Sequence, residues 1–165
     1  MSLCAALVLA ASALPASAAV LLARGSWAAL QSGAQCEAGA RSVLQARKGR
    51  VQAHAAFTFD SGGRRHGELA LRLSRVPRGG SSVILTIGER PFMLASRGDW
   101  AWSRGPAQEA AIIAAARSAG SMRVQARDRA GRRFSDRYLL DGAPAAIDAA
   151  AAACANARLA IAGTR

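Results

Sequence analysis

Glu68-Leu69-Ala70-Leu71-Arg72-Leu73-Ser74-Arg75 places a leucine at every second position, with Arg72 and Ser74 between them. A period of two puts Leu69, Leu71 and Leu73 on one side of an extended chain and the polar residues on the other, the pattern of a half-buried strand. The same rhythm recurs on both sides of it. Upstream, Val51 to Phe59 alternates Val51, Ala53, Ala55, Phe57 and Phe59, and Gly25 to Leu30 opens with Trp27. Downstream, Ser82 to Ile87 is apolar almost without interruption, as a strand buried on both faces would be. Gly88-Glu89 turns the chain into Arg90 to Ala95, with Phe92 and Leu94 on one side, and Asp99 to Ser103 sets Trp100 and Trp102 on a common face. Ser121 to Asp128 alternates Met122, Val124 and Ala126, and a turn at Arg129-Ala130-Gly131 joins it to Arg132 to Leu140 as a hairpin. About eight short strands predict an antiparallel β-sandwich.

Two segments follow a helical rhythm instead. Pro106 to Ala119 has proline in its first turn, Glu109 near the positive end of the helix dipole and Gly120 as a stop. Its apolar stripe is Ile112, Ile113 and Ala116. A second helix is expected from about Pro144 to Asn156, where Ile147, Ala151 and Cys154 fall on one face. The tail beyond it, residues 158–165, has no period and is expected to be flexible. Gly and Ser clusters at 61–63 and 79–82 are turn chemistry, not linkers. There is no internal repeat, and residues 19–157 form one domain.

The first residues set the compartment. Met1 to Ala19 carry no charged side chain, and the apolar run Leu3 to Leu14 leads through Pro15 to Ala16-Ser17-Ala18, the small-x-small pattern of a secretory cleavage site. Residues 1–18 are therefore expected to be a signal peptide cut after Ala18, with Ala19 as the near alternative. The rival is an uncleaved anchor, because Leu3 to Ala23 is long and apolar enough to cross a bilayer. The expected location is the periplasm or the exterior. Cys4 leaves with the leader, and Cys36 and Cys154 remain. Two cysteines in an oxidising compartment predict a disulfide. A zinc site from Cys36, His54, His66 and Cys154 lacks the short paired spacings of structural zinc.

The chain carries a formal charge of +12, nearly all of it arginine. Such a positive field draws in acidic surfaces, lipid head groups and polyanions. Arg64, Arg65, Arg78, Arg129, Arg132 and Arg133 fall at expected turns and strand ends and are the candidate anion-binding residues. They form one patch if those turns gather at one end of the sandwich. No nucleic-acid module fits, and the aromatic interleaving that stacking on single strands would need is absent. Trp27, Trp100 and Trp102 are read as core anchors.

Catalytic signatures are weak throughout. There is no H-E-x-x-H, no calcium loop and no G-x-S-x-G elbow, and Lys48 is followed by glycine where a phosphate-binding loop needs Ser or Thr. His54 falls on the polar-facing parity of its strand and is expected at the rim; His66 is expected at a loop tip. No catalytic residue, metal or cofactor is assigned.

The order of these elements resembles a known family. Trp27 and Cys36 are followed by Arg75-Val76-Pro77-Arg78-Gly79-Gly80. Then comes Val83-Ile84-Leu85-Thr86-Ile87-Gly88-Glu89-Arg90-Pro91-Phe92-Met93-Leu94. With Ala111 to Arg117, Gly120 to Val124 and a late Ala146 to Cys154 helix, this is similar to the invasion-associated locus B family of alphaproteobacterial envelope proteins, in its small sphingomonad-like branch. The resemblance implies an immunoglobulin-like sandwich with two short helices, export and no enzymatic activity. It also implies a macromolecular interaction at the envelope. The domain is expected to be a monomer, and the alternative is a periplasmic binder of anionic polymers, such as lipopolysaccharide or acidic glycans, working through its Arg-rich loops.

Overall fold

The computed structural model describes residues 18–163. Along the chain run β1 (Ala19–Arg24), β2 (Trp27–Ser32), β3 (Gln35–Arg41), β4 (His54–Asp60), β5 (His66–Arg72), β6 (Val83–Ile87), β7 (Arg90–Arg97) and β8 (Trp100–Trp102). Helix α1 (Pro106–Ser118), β9 (Ser121–Arg127), β10 (Arg133–Leu139) and α2 (Ala143–Ala162) complete it. All ten strands pair antiparallel in one continuous sheet, in the order β1-β2-β3-β4-β5-β8-β7-β6-β9-β10. The expected mainly-β, antiparallel character holds. The strands are joined edge to edge, and the two halves of the sheet close on one core.

The period-two residues explain that closure. Ala55, Phe57 and Phe59 on β4, Leu69 and Leu71 on β5, and Met122, Val124 and Ala126 on β9 are all buried. They share one cluster with Trp27, Leu85 and Tyr138. A sheet with one apolar face must curl or be covered to take that face out of water. Here edge strand β10 is folded back until the Trp27 indole N–H donates to the Leu139 carbonyl at 2.8 Å. The Val43 amide reaches the Arg137 carbonyl at 2.8 Å, and the Ser74 amide donates to the buried Asp136 carboxylate at 2.9 Å. The helices cover the rest. Ile112, Ala115 and Ala116 of α1 are buried, and α1 packs chiefly on β5. Ala143, Ala146, Ile147, Ala150 and Cys154 form the buried stripe of α2, which packs on β3 and β2.

Cys36 and Cys154 form the expected disulfide, with Cα atoms 5.9 Å apart. It joins β3 to α2 across 118 residues of chain.

Several expectations need correction. β1 takes up the end of the rival anchor span Leu3 to Ala23: Ala19, Val20, Leu22 and Ala23 pair with β2, so these residues are strand and not helix. β3 was not foreseen, because its inward residues are Cys36, Ala38 and Ala40 rather than large apolar ones. Small side chains there let α2 approach closely, so the strand is buried without being conspicuously hydrophobic. β6 is buried on one face only. Val83, Leu85 and Ile87 point inward, while Ile84 is 38% exposed on the uncovered outer face. Trp100 and Trp102 share a face, as expected, but it is the outer one: Ala101 between them is fully buried, and Trp100 is 40% exposed. Helix α2 is not short. It runs 20 residues, past the expected end at Asn156 to Ala162.

Candidate functional site: a basic loop end and an aromatic–cationic row

Strand direction sorts the loops into two ends. The β3–β4 loop (42–53), the β5–β6 loop (73–82), the β7–β8 turn (98–99) and the β9–β10 turn (128–132) leave the sheet at the same end. Two of them are bonded together. The Arg78 amide donates to the Arg127 carbonyl at 2.8 Å, and Pro77 pairs with Asp128 in an isolated bridge.

Asp128 organises this corner. Its Oδ1 accepts the amides of Ala130 and Arg132, each at 3.0 Å, which closes the hairpin turn. Its Oδ2 accepts from Arg75 Nη1 at 2.9 Å and Arg132 Nε at 3.2 Å. Burial alone would raise the Asp128 pKa, but these donors outweigh it and hold the carboxyl below the usual carboxylate range. One carboxylate thus anchors two guanidinium groups, leaving a surplus of positive charge. Arg78, Arg129 and Arg133 are exposed around it. Of the candidate anion-binding residues, Arg78, Arg129, Arg132 and Arg133 are therefore brought together, with Arg132 partly committed to Asp128.

Arg64 and Arg65 are not part of that patch. They lie in the β4–β5 turn, at the opposite end of β5 and about 23 Å away along the strand. There the Asp60 carboxylate accepts both their amides at 3.0 Å. Those bonds, the Arg64 amide first, keep the Asp60 pKa below its ordinary value. Arg65 Nε also pairs with Glu68 at 3.3 Å. Their neighbour is Arg158 of α2, close to Gly63.

Two further sets of cations at the loop end were missed in the sequence. Arg47, Lys48 and Arg50 are exposed in the β3–β4 loop and line a shallow cavity of about 500 Å³ together with Arg41. Gln52 shapes that loop by donating to Ser42 Oγ at 2.9 Å and accepting the Ala46 amide at 2.8 Å. The second set is a row fixed by register. Arg41, His54, Arg72, Trp100 and Arg97 stand directly opposite one another on β3, β4, β5, β8 and β7. Directly opposed residues share a face, and here it is the outer one. Alongside runs a row of Gly39, Ala56, Ala70, Trp102 and Ala95. Trp102 thus sits among side chains too small to stand above the sheet.

His54 has the outward parity expected of it. Its ring meets Trp100 edge-on, with centroids 5.6 Å apart and planes at 89°. Burial lowers its pKa, as do Arg72 and Arg41, and the pull of Glu37 only partly opposes them. That shift favours the uncharged imidazole, so the positive charge of the row rests on its arginines. Arg72 Nε is bonded to Asp99 at 3.1 Å, which fixes the guanidinium beside Trp100.

Among the described residues no group of three or more His, Cys, Asp or Glu is placed to hold a metal, and no helix is long and apolar enough to cross a membrane. The chain matches no family model, and no curated protein or solved structure is significantly similar to it.

Proposed function

We propose that the chain is an exported, non-enzymatic envelope domain that binds a macromolecule, as the resemblance to the invasion-associated locus B family implies, and that it recognises negative charge on its partner. The observation that carries this reading is the convergence of cations from three separate connections, β3–β4, β5–β6 and β9–β10, on one end of a chain whose formal charge is +12. Clustered charges of one sign raise the local concentration of an oppositely charged partner and speed its encounter. An anionic polymer, such as lipopolysaccharide or an acidic glycan, suits this surface better than a neutral protein face.

Two features support export. The disulfide needs an oxidising compartment to persist. Cleavage after Ala18 leaves β1 whole, since its pairing begins at Ala19 with Gln31. Expression with the leader in a host that has a periplasm, followed by intact mass measurement, tests this directly. The reading expects an oxidised chain beginning at Ala19 or Val20; a full-length, reduced chain in the cytosol contradicts it.

For binding, the oxidised protein is titrated with a polyanion at rising salt. Affinity should fall steeply as salt screens exposed charges. Charge-reversed Arg78→Glu/Arg129→Glu protein should bind more weakly, and Arg64→Glu/Arg65→Glu protein should bind as the parent does. Equal losses from both pairs would contradict a single basic end.

A further inference from the structure

We propose that the row Arg72–Trp100–Arg97 is a sugar-stacking subsite for an acidic polysaccharide, a uronate-bearing glycan strand. This rests on the anionic-polymer reading above and assigns its recognition element. The short strand β8 is inserted between β5 and β7, so register sets an exposed indole between two guanidinium groups. Cβ atoms at such opposed positions are about 4.5–5.5 Å apart. A pyranose ring stacked on Trp100 therefore has a cation within reach on either side for a ring-borne carboxylate. Arginine suits that partner, because its planar fork matches a carboxylate. Asp99 takes Nε of Arg72, and among the described residues no hydrogen bond engages its other guanidinium nitrogens, which face the ligand. Trp102 lies two residues along the same face, about 7 Å further on, on the level bed of Ala56, Ala70 and Ala95. Arg41 extends the cationic row past His54 toward the basic β3–β4 loop.

Other occupants fit less well. A second copy of the chain would bring two strongly positive surfaces together. A bilayer takes protruding apolar tips, whereas Trp100 is paired across the sheet with Arg72 and Arg97, and the adjoining turn is Gly98-Asp99.

The test compares polygalacturonate, polyglutamate, neutral dextran, single-stranded DNA and anionic vesicles as ligands for the purified oxidised protein, by calorimetry at fixed salt. Polygalacturonate should bind more tightly than charge-matched polyglutamate. Trp100→Ala should cost about tenfold against polygalacturonate and leave polyglutamate within twofold. Arg97→Gln should weaken both. Trp100→Tyr, which keeps an aromatic face, should restore most of the loss, and circular dichroism of each variant confirms that it folds. Equal affinity for polygalacturonate and polyglutamate, with Trp100→Ala silent, overturns the subsite and leaves the anionic-polymer reading standing. No binding to any polyanion overturns that reading itself. Preference for DNA or vesicles, or concentration-dependent self-association lost in Trp100→Ala, overturns the glycan as occupant.

Discussion

Trp27 on β2 and Leu139 on β10 lie 112 positions apart, yet the indole N–H of one donates to the carbonyl of the other at 2.8 Å. The bond ties edge strand β10 back onto the first half of the sheet. The Trp27 ring also packs on Phe57, with centroids 5.7 Å apart, so one side chain both fills the core and pins the closure. Trp27→Phe keeps an aromatic ring but removes the donor and part of the volume. It should cost about 1–3 kcal/mol in urea denaturation. An unchanged midpoint would mean that β10 is held by packing alone.

The Cys36–Cys154 bridge closes a long loop, for which chain-entropy arguments allow up to about 4–5 kcal/mol. Cys36→Ser/Cys154→Ser protein should melt at a lower temperature than the oxidised parent, and peptide mapping without reductant should recover the linked pair. Alkylation of both thiols without prior reduction would refute the bridge.

Leu71 and Trp100 separate the two faces of the sheet. Leu71 is fully buried, so Leu71→Asp puts an unpaired carboxylate into the core and should abolish cooperative folding. Trp100→Asp changes only the outer face and should remain soluble and cooperative. The reverse outcome would invert the assignment of inside and outside.

Tyr138 is the only tyrosine in the chain, which makes its ionisation readable by ultraviolet absorbance. Burial, with a further contribution from the Asp136 carboxylate, pushes its pKa far above the usual phenol range. A folded-state pKa raised in this way contributes stability that is complete below about pH 10, the ordinary tyrosine value, and is lost as pH rises further. The phenolate signal should therefore appear above pH 10, together with the loss of tertiary structure and not before it. Among the described residues no protein group is bonded to the Tyr138 hydroxyl. Tyr138→Phe should thus leave stability unchanged or raise it by about 1 kcal/mol. Titration near pH 10 in the folded protein would contradict the burial.

What could be read in the sequence follows from side-chain size. β4, β5 and β9 announce themselves because leucine, phenylalanine, valine or methionine recurs among their inward residues, and β10 because it follows β9 through a turn, although it buries Asp136 and Tyr138 beside Phe134. β3 does not, since Ala38 and Ala40 carry little hydrophobic signal, and β1 merges with the apolar leader. Trp100 and Trp102 mislead, because a large aromatic residue implies burial until the parity of Ala101 is known. The separation of Arg64-Arg65 from Arg75 and Arg78 was within reach: the two groups bracket a single strand and so must lie at opposite ends. The row joining Arg41, Arg72, Trp100 and Arg97 was not, because it depends on which strands become neighbours, and β8 pairs with β5 across 27 residues of chain, as the Arg72–Asp99 bond also shows.

The most direct test of recognition through one basic end is a nuclear magnetic resonance titration of the isotope-labelled oxidised protein with polygalacturonate. Amide shifts should concentrate in residues 41–54, 72–82, 97–102 and 127–133, and the β4–β5 turn carrying Arg64 and Arg65 should stay unmoved. Shifts centred on that turn and on α2, or spread evenly over the surface, would contradict it.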